Sequence, residues 1–278
     1  MKNQTITHDI SFLSLDHPGA NDPLYRVRRN EIAELAKNFR SHGGPIPVIA
    51  YSKEENETWS KVTKKLLPLH EALASSRYLK AKQILPISTH VIPQLADLDR
   101  ELKKLYGFGV SPVEGLVESR IFLGMLEKKF MLCTQYIRHA SRPDYTPEPD
   151  IVHEVMGHVP MFTDKDFVDF SQMIGAASLK ANEEELIQIE RLYWFTVEFG
   201  LIQEAGQLKA YGAGLLSSFG EIQHCFTDVV EKSKFSLKEV IQTPYDYSKM
   251  QSKLFIVSSF RDLRKSCQKF LNSILCRP

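Results

Sequence analysis

Two imidazoles bracket a carboxylate at His153-Glu154-Val155-Met156-Gly157-His158. Neutral imidazole is the commonest protein metal ligand, so the pair points to a metal site. A zinc-protease helix spaces its two histidines at i and i+4, on one face. Here the spacing is i and i+5, which on a regular α-helix separates the side chains by about 140°. That is too wide for one ion. Gly157 offers a way out, because glycine adopts the left-handed conformation of a helix cap, and Pro160 follows closely. The expectation is a helix that ends at Gly157 and turns His158 back toward His153.

A third ligand is found in the run from Leu192 to Ile202, LYWFTVEFGLI. This segment is apolar on nearly every side and should be buried. Glu198 inside it would cost several kcal/mol if left unpaired. A metal dication removes that cost, and so would a buried arginine. Asp164, Asp166 and Asp169 are spaced like a solvated helix face and its cap. Two histidines and one carboxylate with open positions form the facial triad of non-haem Fe(II) oxygenases. The same donors suit a hydrolytic zinc ion with Glu154 as general base. Spacing leaves both open.

A second cluster lies upstream. Arg138 ends a run of strand-forming residues, and its guanidinium suits a carboxylate held through two hydrogen bonds. That carboxylate can belong to a ligand or to Asp150, and an aspartate can also hold the arginine ready for a ligand. The stretch AYGAGLLSSFG, with Gly212, Gly214 and Gly220, does not match the dinucleotide fingerprint.

Elements must bring these residues together. The chain has 278 residues, enough for a sizeable core. Its 35 basic and 34 acidic residues give a net charge of +1, so no global field favours nucleic acid. With 43% hydrophobic and 25% charged residues, it reads as globular rather than disordered. Cys133, Cys225, Cys267 and Cys276 form no CxxC pair and read as free thiols of a reducing cytoplasm. No signal segment and no apolar run of spanning length is seen, so no membrane association is expected.

Residues 1–29 read as a loose arm, followed by one domain over 30–278. Helices are expected at 30–41 (Ile32, Leu35, Ala36 and Phe39 in period), 92–106, 150–157, 166–180, 183–201, 236–242 and 258–275. The span 54–85 reads as two helices broken near Pro68. Gly107 to Gly115 is a loop, and FMLCTQYI is a strand. The fold class is therefore mostly α with a few short strands.

Six segments resemble one family. SRIFL, CTQYIRH, YTPEPDIVHEVMGHVPMF, FSQMIGAASL, LYWFTVEFGL and KAYGAGLLSSFGE are similar, in order and spacing, to the aromatic amino acid hydroxylases. These are the pterin-dependent phenylalanine, tyrosine and tryptophan hydroxylases. The core of the resemblance runs over 107–263. It implies a single catalytic domain of that type, with Fe(II) on His153, His158 and Glu198. It implies a tetrahydropterin stacked on Phe122, near Gly115, Val117 and Ser119, with Glu154 on the pterin side. It implies that Arg138, held by Asp150, binds the substrate carboxylate, and that Thr146, Trp194 and Ser217 line the amino acid pocket. The implied reaction transfers one atom of O2 to the ring of an aromatic amino acid and the other to the pterin. Phenylalanine to tyrosine is the first choice, with tyrosine or tryptophan as other substrates.

Leu132 departs from the pattern, since animal members usually carry His or Gln there. The animal members' C-terminal tetramerisation helix has no counterpart before Pro278, so a monomer or weak dimer is expected. Two other classes stand beside this reading: the zinc hydrolase, and a non-catalytic relative that binds an amino acid.

Overall fold

The structure is a computed structural model and describes residues 13, 17–144 and 146–276. Helix α1 (Pro23–His42) opens with Asp22 accepting from the Leu24 and Tyr25 N–H groups and with Pro23 in its first turn. Residues 23–29 therefore belong to a helix and not to a loose arm. The cap signature Asp22-Pro23 is legible, but three arginines dilute the apolar period after it. The first part of the expected arm, 1–12 and 14–16, lies outside the described residues.

Helix α2 (Lys53–Leu73) starts with a reciprocal Ser52–Glu55 capping box. It runs through Pro68 without a break. Pro68 and Lys64 are exposed, so water can take the carbonyl that the missing N–H leaves unpaired. The chain breaks instead at Ala74, which bridges to Ala210, and Ser75 then caps α3 (Ser76–Ile84). Helix α4 (Leu95–Tyr106) buries Leu95, Leu98 and Leu102.

Strand β1 (Gly109–Pro112) pairs in parallel with β2 (Phe130–Cys133). The expected strand thus stops four residues early, and 134–137 continue without a ladder. Between the two strands lies α5 (Ser119–Glu127). It packs on α6 (Lys165–Lys180) so closely that a Cβ on Gly175 would meet the Glu127 backbone nitrogen at 2.4 Å.

Helix α7 (Glu183–Tyr193) leads through Trp194–Glu198 into a sheet. Its strands are β3 (Leu201–Glu204), β4 (Gln207–Ala210), β5 (Glu231–Lys234) and β6 (Lys253–Val257), in the order β4-β3-β6-β5. The pair β3–β4 is a hairpin, and β6 lies parallel to both β3 and β5. The expected helix over 183–201 therefore ends at Glu198. Short helices α8 (Ala213–Leu216), α9 (Phe219–His224) and α10 (Leu237–Val240) connect these strands, and α11 (Phe260–Leu275) closes the chain against α6. One continuous apolar cluster reaches from Trp59 to Ile274. No helix among the described residues is long and apolar enough to cross a membrane.

Candidate active site

His153–His158 does not end at a glycine cap. It is a π-helical turn, followed by a 3-10 turn over Val159–Thr163. The Val159 N–H bonds to the Glu154 carbonyl, five residues back. A π turn holds one residue more than an α turn, so side chains at i and i+5 fall on one face. That winding, and not a left-handed cap, brings the two imidazoles together. Gly157 has no positive φ. It is needed because α8 passes directly over it: a Cβ there would lie 2.7 Å from the Ala213 carbonyl oxygen.

The second ligand-bearing segment repeats the device. Trp194–Glu198 is also π-wound, and the Phe199 N–H bonds to the Trp194 carbonyl at 2.8 Å. Glu198 Oε1 lies 2.9 Å from His158 Nε2, and Oε2 lies 3.6 Å from His153 Nε2. The two ring nitrogens are 3.0 Å apart. One donor atom from each of the three side chains lies within 4.8 Å of the others. No arginine pairs with Glu198 among the described residues, so the alternative reading of a buried Glu–Arg bridge is not what the fold builds.

The donor chemistry fits a cation. Two imidazole nitrogens face each other at hydrogen-bond distance, and two lone pairs there repel unless a proton or a metal lies between them. Burial alone would raise Glu198, yet the adjacent His158 holds it at about 2. Burial lowers His153 to about 4, so it stays neutral, as a ligand must. Ser217 Oγ lies 3.0 Å from His153 Nδ1. A proton on Nδ1, donated to Ser217, leaves the Nε2 lone pair aimed at the cluster. Ser217 therefore meets the Nδ1 edge of the His153 ring and is not among the residues that line the cavity. Among the described residues, His158 Nδ1 is buried without a hydrogen-bond partner, and the Tyr193 hydroxyl interacts with the Glu198 carboxylate.

Glu198 forms part of the lining of a cavity whose walls also include Gly115, Val117, Ser119, Phe122, Leu132, Glu154 and Trp194. Phe122 and Tyr193 meet edge to face, centroids 5.5 Å apart. Glu154 Oε1 accepts from the Thr134 N–H and hydroxyl, each at 3.3 Å. Burial raises it to about 8. Leu132 makes its part of the wall apolar.

Arg138, Asp150 and Thr146 are not among the residues that line this cavity; Arg138 lines a second one, with Tyr25, Arg29 and His139. Arg138 Nε and Nη2 donate to the two Asp150 oxygens at 2.9 and 2.8 Å, and Nη1 reaches the Pro143 carbonyl at 3.3 Å. Both side chains of the pair are buried. Asp150 also accepts from the His153 N–H at 3.1 Å, tying the arginine to the metal-facing turn. Thr146 Oγ1 donates to the Glu148 carbonyl at 2.9 Å. The internal Arg–Asp bridge is therefore real, with the outer edge of the guanidinium left over. Asp164 caps α6, and Asp169 pairs with Lys165 and Arg264, as a helix face does.

Sequence reasoning missed Tyr193, Thr134 and Tyr245, which also line the cavity. Tyr193 had a signal, since it precedes Trp194 in the buried run. Tyr245 had none. It lies in a polar loop and reaches the site by stacking on Trp194 at 4.3 Å.

A family model for biopterin-dependent aromatic amino acid hydroxylases matches residues 1–278. The phenylalanine-4-hydroxylase of Rattus norvegicus is 43% identical over 279 residues, covering 98% of this chain and 60% of that protein. The tyrosine 3-monooxygenase of Homo sapiens is 46% identical over 266 residues, covering 94% of this chain and 50% of that protein. The chain thus spans three fifths or less of these relatives. The phenylalanine hydroxylase of Chromobacterium violaceum, solved with bound iron(III) and 7,8-dihydrobiopterin, superimposes with a TM-score of 0.78 at 29% identity, covering 84% of this chain and 87% of that one.

Proposed function

The chain belongs to the biopterin-dependent aromatic amino acid hydroxylases, and on that premise we propose that it is an Fe(II)- and tetrahydropterin-dependent monooxygenase converting phenylalanine to tyrosine. The observation that carries this reading is the convergence of His153, His158 and Glu198 on one point beside an aromatic-walled cavity. These three side chains would hold the iron. Bound there with a reduced pterin, the iron supplies the activation of O2 for transfer of one oxygen atom to an aromatic ring.

The chain's own groups orient and enclose. Ser217 fixes the His153 ring. Phe122 offers a face to the flat pterin, with Gly115, Val117 and Ser119 along the same wall. Glu154, held by Thr134 and buried enough to carry a proton near neutrality, is placed to exchange hydrogen bonds with pterin ring nitrogens. Trp194 packs against the amino acid ring. Arg138, pre-oriented by Asp150, offers its outer edge to the substrate carboxylate, with Thr146 alongside. The apolar walls, Leu132 included, exclude water and hold ring, pterin and metal in register. Four free cysteines fit a reducing compartment, and we place the protein in the cytoplasm.

The test compares kcat/KM for phenylalanine, tyrosine and tryptophan with Fe(II), tetrahydropterin and O2. Phenylalanine should lead by at least about tenfold. Tyrosine or tryptophan in the lead would move the substrate within the family. Turnover that does not need pterin would remove the reading.

A further inference from the structure

We propose that Gln251 is a positioning residue for the aromatic amino acid: its amide locks the Trp194 indole to the 245–251 loop and so fixes the aromatic wall of the cavity. This rests on the reading above, in which Trp194 packs against the substrate ring.

The geometry is specific. Gln251 is only 5% exposed, although it belongs to a loop whose Tyr247 and Met250 are 78% and 54% exposed. Its Oε1 accepts from Trp194 Nε1 at 2.9 Å. Its Nε2 donates to the carbonyls of Asp246 and Lys249 at 3.1 and 2.9 Å. Its backbone N–H donates to Glu221 Oε1 at 3.2 Å. An indole N–H only donates and a carbonyl only accepts, so one orientation of the amide satisfies all three side-chain partners. No other side chain of similar size does the same. A glutamate keeps the acceptor but sets an oxygen against two carbonyls, and a methionine keeps the volume alone.

Gln251 is also the anchor of the loop. The other hydrogen bonds described within 246–250 join Asp246 to Ser248 and Lys249, inside the loop. Every described hydrogen bond from 246–251 to the rest of the chain is made by Gln251. Tyr245, at the start of this loop, stacks on Trp194 with planes 13° apart, and Phe199 packs near the indole at 4.7 Å. Tyr245 and Trp194 both line the cavity. Releasing the amide therefore frees the indole plane and its stacking partner together, at the wall where an aromatic ring would rest. The pterin wall, formed by Phe122 and the 115–119 segment, is built on other elements and should not notice.

The experiment uses the full chain with iron and compares Gln251→Met, Gln251→Glu, Trp194→Phe and the double variant Gln251→Met/Trp194→Phe. Phenylalanine affinity is measured by calorimetry, and KM for tetrahydropterin by turnover. Indole emission is followed during the phenylalanine titration. Trp59 is the only other tryptophan, is fully buried and donates to the Ser88 carbonyl, so it supplies a constant background. Gln251→Met should weaken phenylalanine binding by about tenfold or more, leave pterin KM within about twofold, and abolish the emission change. Gln251→Glu should fall between it and the unmodified protein. Because the route runs through the indole, the double variant should bind phenylalanine no more than about twofold more weakly than Trp194→Phe alone.

Losses that multiply in the double variant would overturn the proposal. So would phenylalanine affinity unchanged within about twofold in Gln251→Met, or a parallel rise of phenylalanine Kd and pterin KM, which is what a merely structural role produces. A failure of the functional reading looks different: the unmodified protein then binds no aromatic amino acid at all.

Discussion

The helices that carry the three metal-facing side chains and the helices that only pack differ in their winding. Helix α6 has a capping Asp164, a regular ladder and eight buried residues, and it packs against α5, α7 and α11. The turns over His153–His158 and Trp194–Glu198 are just as buried, yet both are π-wound. A π turn has poorer geometry than an α turn and persists where something else requires it. Here the requirement is convergence: two histidines five residues apart, and a glutamate that must meet them from a second helix. Regular winding serves packing, and irregular winding marks the place where side chains are aimed.

The largest effect is expected at Glu198, on the second π-wound turn. Glu198→Ala should abolish iron binding, lowering affinity by at least about a hundredfold, because one of three protein ligands is gone. Its melting temperature without metal should fall little or rise, since a buried carboxylate is removed. Iron content by elemental analysis beside a thermal melt checks both.

The scaffold should respond in the opposite sense. Gly175→Ala places a methyl 2.4 Å from the Glu127 nitrogen and 2.7 Å from the Leu123 carbonyl, both backbone atoms that cannot yield cheaply. It should cost about 1–3 kcal/mol of stability while the folded fraction keeps its iron affinity. Gly157→Ala, pressed on Ala213, should lose both stability and iron, because the displaced turn carries the histidines. Denaturant melts with parallel iron titrations separate the cases.

Arg138 tests the contrast from the other side, as a group that the scaffold holds through Asp150 and that we propose meets the substrate carboxylate. Arg138→Lys should raise the amino acid KM by roughly tenfold to a hundredfold, equivalent to about 1.5–3 kcal/mol, and leave pterin KM nearly unchanged. Asp150→Asn should act in the same direction more weakly, because the guanidinium stays charged and loses only its orienting partner. A large drop in Tm with an unchanged amino acid KM would reduce the pair to an internal bridge.

The smallest effect concerns Glu221, which burial raises from the ordinary 4.5 to about 7, against the lowering effect of the Gln251 N–H. A carboxyl whose folded pKa is raised contributes its stability at low pH and loses it as pH climbs through the folded value. Glu221→Gln removes that loss and keeps an acceptor for Gln251. Its Tm should match the unmodified protein near pH 4 and exceed it by a few degrees near pH 8. An equal offset at both pH values would show that titration of Glu221 is not the cause.

The sequence announced the chemistry more clearly than the backbone that delivers it. A glutamate in LYWFTVEFGLI must be paired, which leaves a metal or an arginine as its partner, and the family resemblance points to the histidines. The i, i+5 spacing signalled an irregular turn but not its kind, because a glycine cap and a π turn both solve the same angular problem. Only the close approach of α8 reveals why residue 157 is glycine. Helices α4, α6 and α11 were legible from apolar period, whereas three arginines hid the start of α1, Pro68 suggested a break that α2 does not have, neighbouring glycines obscured α5, and strands of four or five residues obscured the four-stranded sheet. Tyr245 and Gln251 left no signal, since their roles depend on a loop folding back over Trp194.

The proposed function requires His153, His158 and Glu198 to act together as one iron centre for pterin-dependent ring hydroxylation. The most direct test loads the protein anaerobically with Fe(II), then adds phenylalanine, tetrahydropterin and isotopically labelled O2, and reads products by mass. We expect one iron per chain and tyrosine carrying one labelled oxygen atom, with a second labelled atom on the oxidised pterin, and no product from the Glu198→Ala protein. Unlabelled tyrosine, or labelled tyrosine formed without pterin or without Glu198, would contradict it.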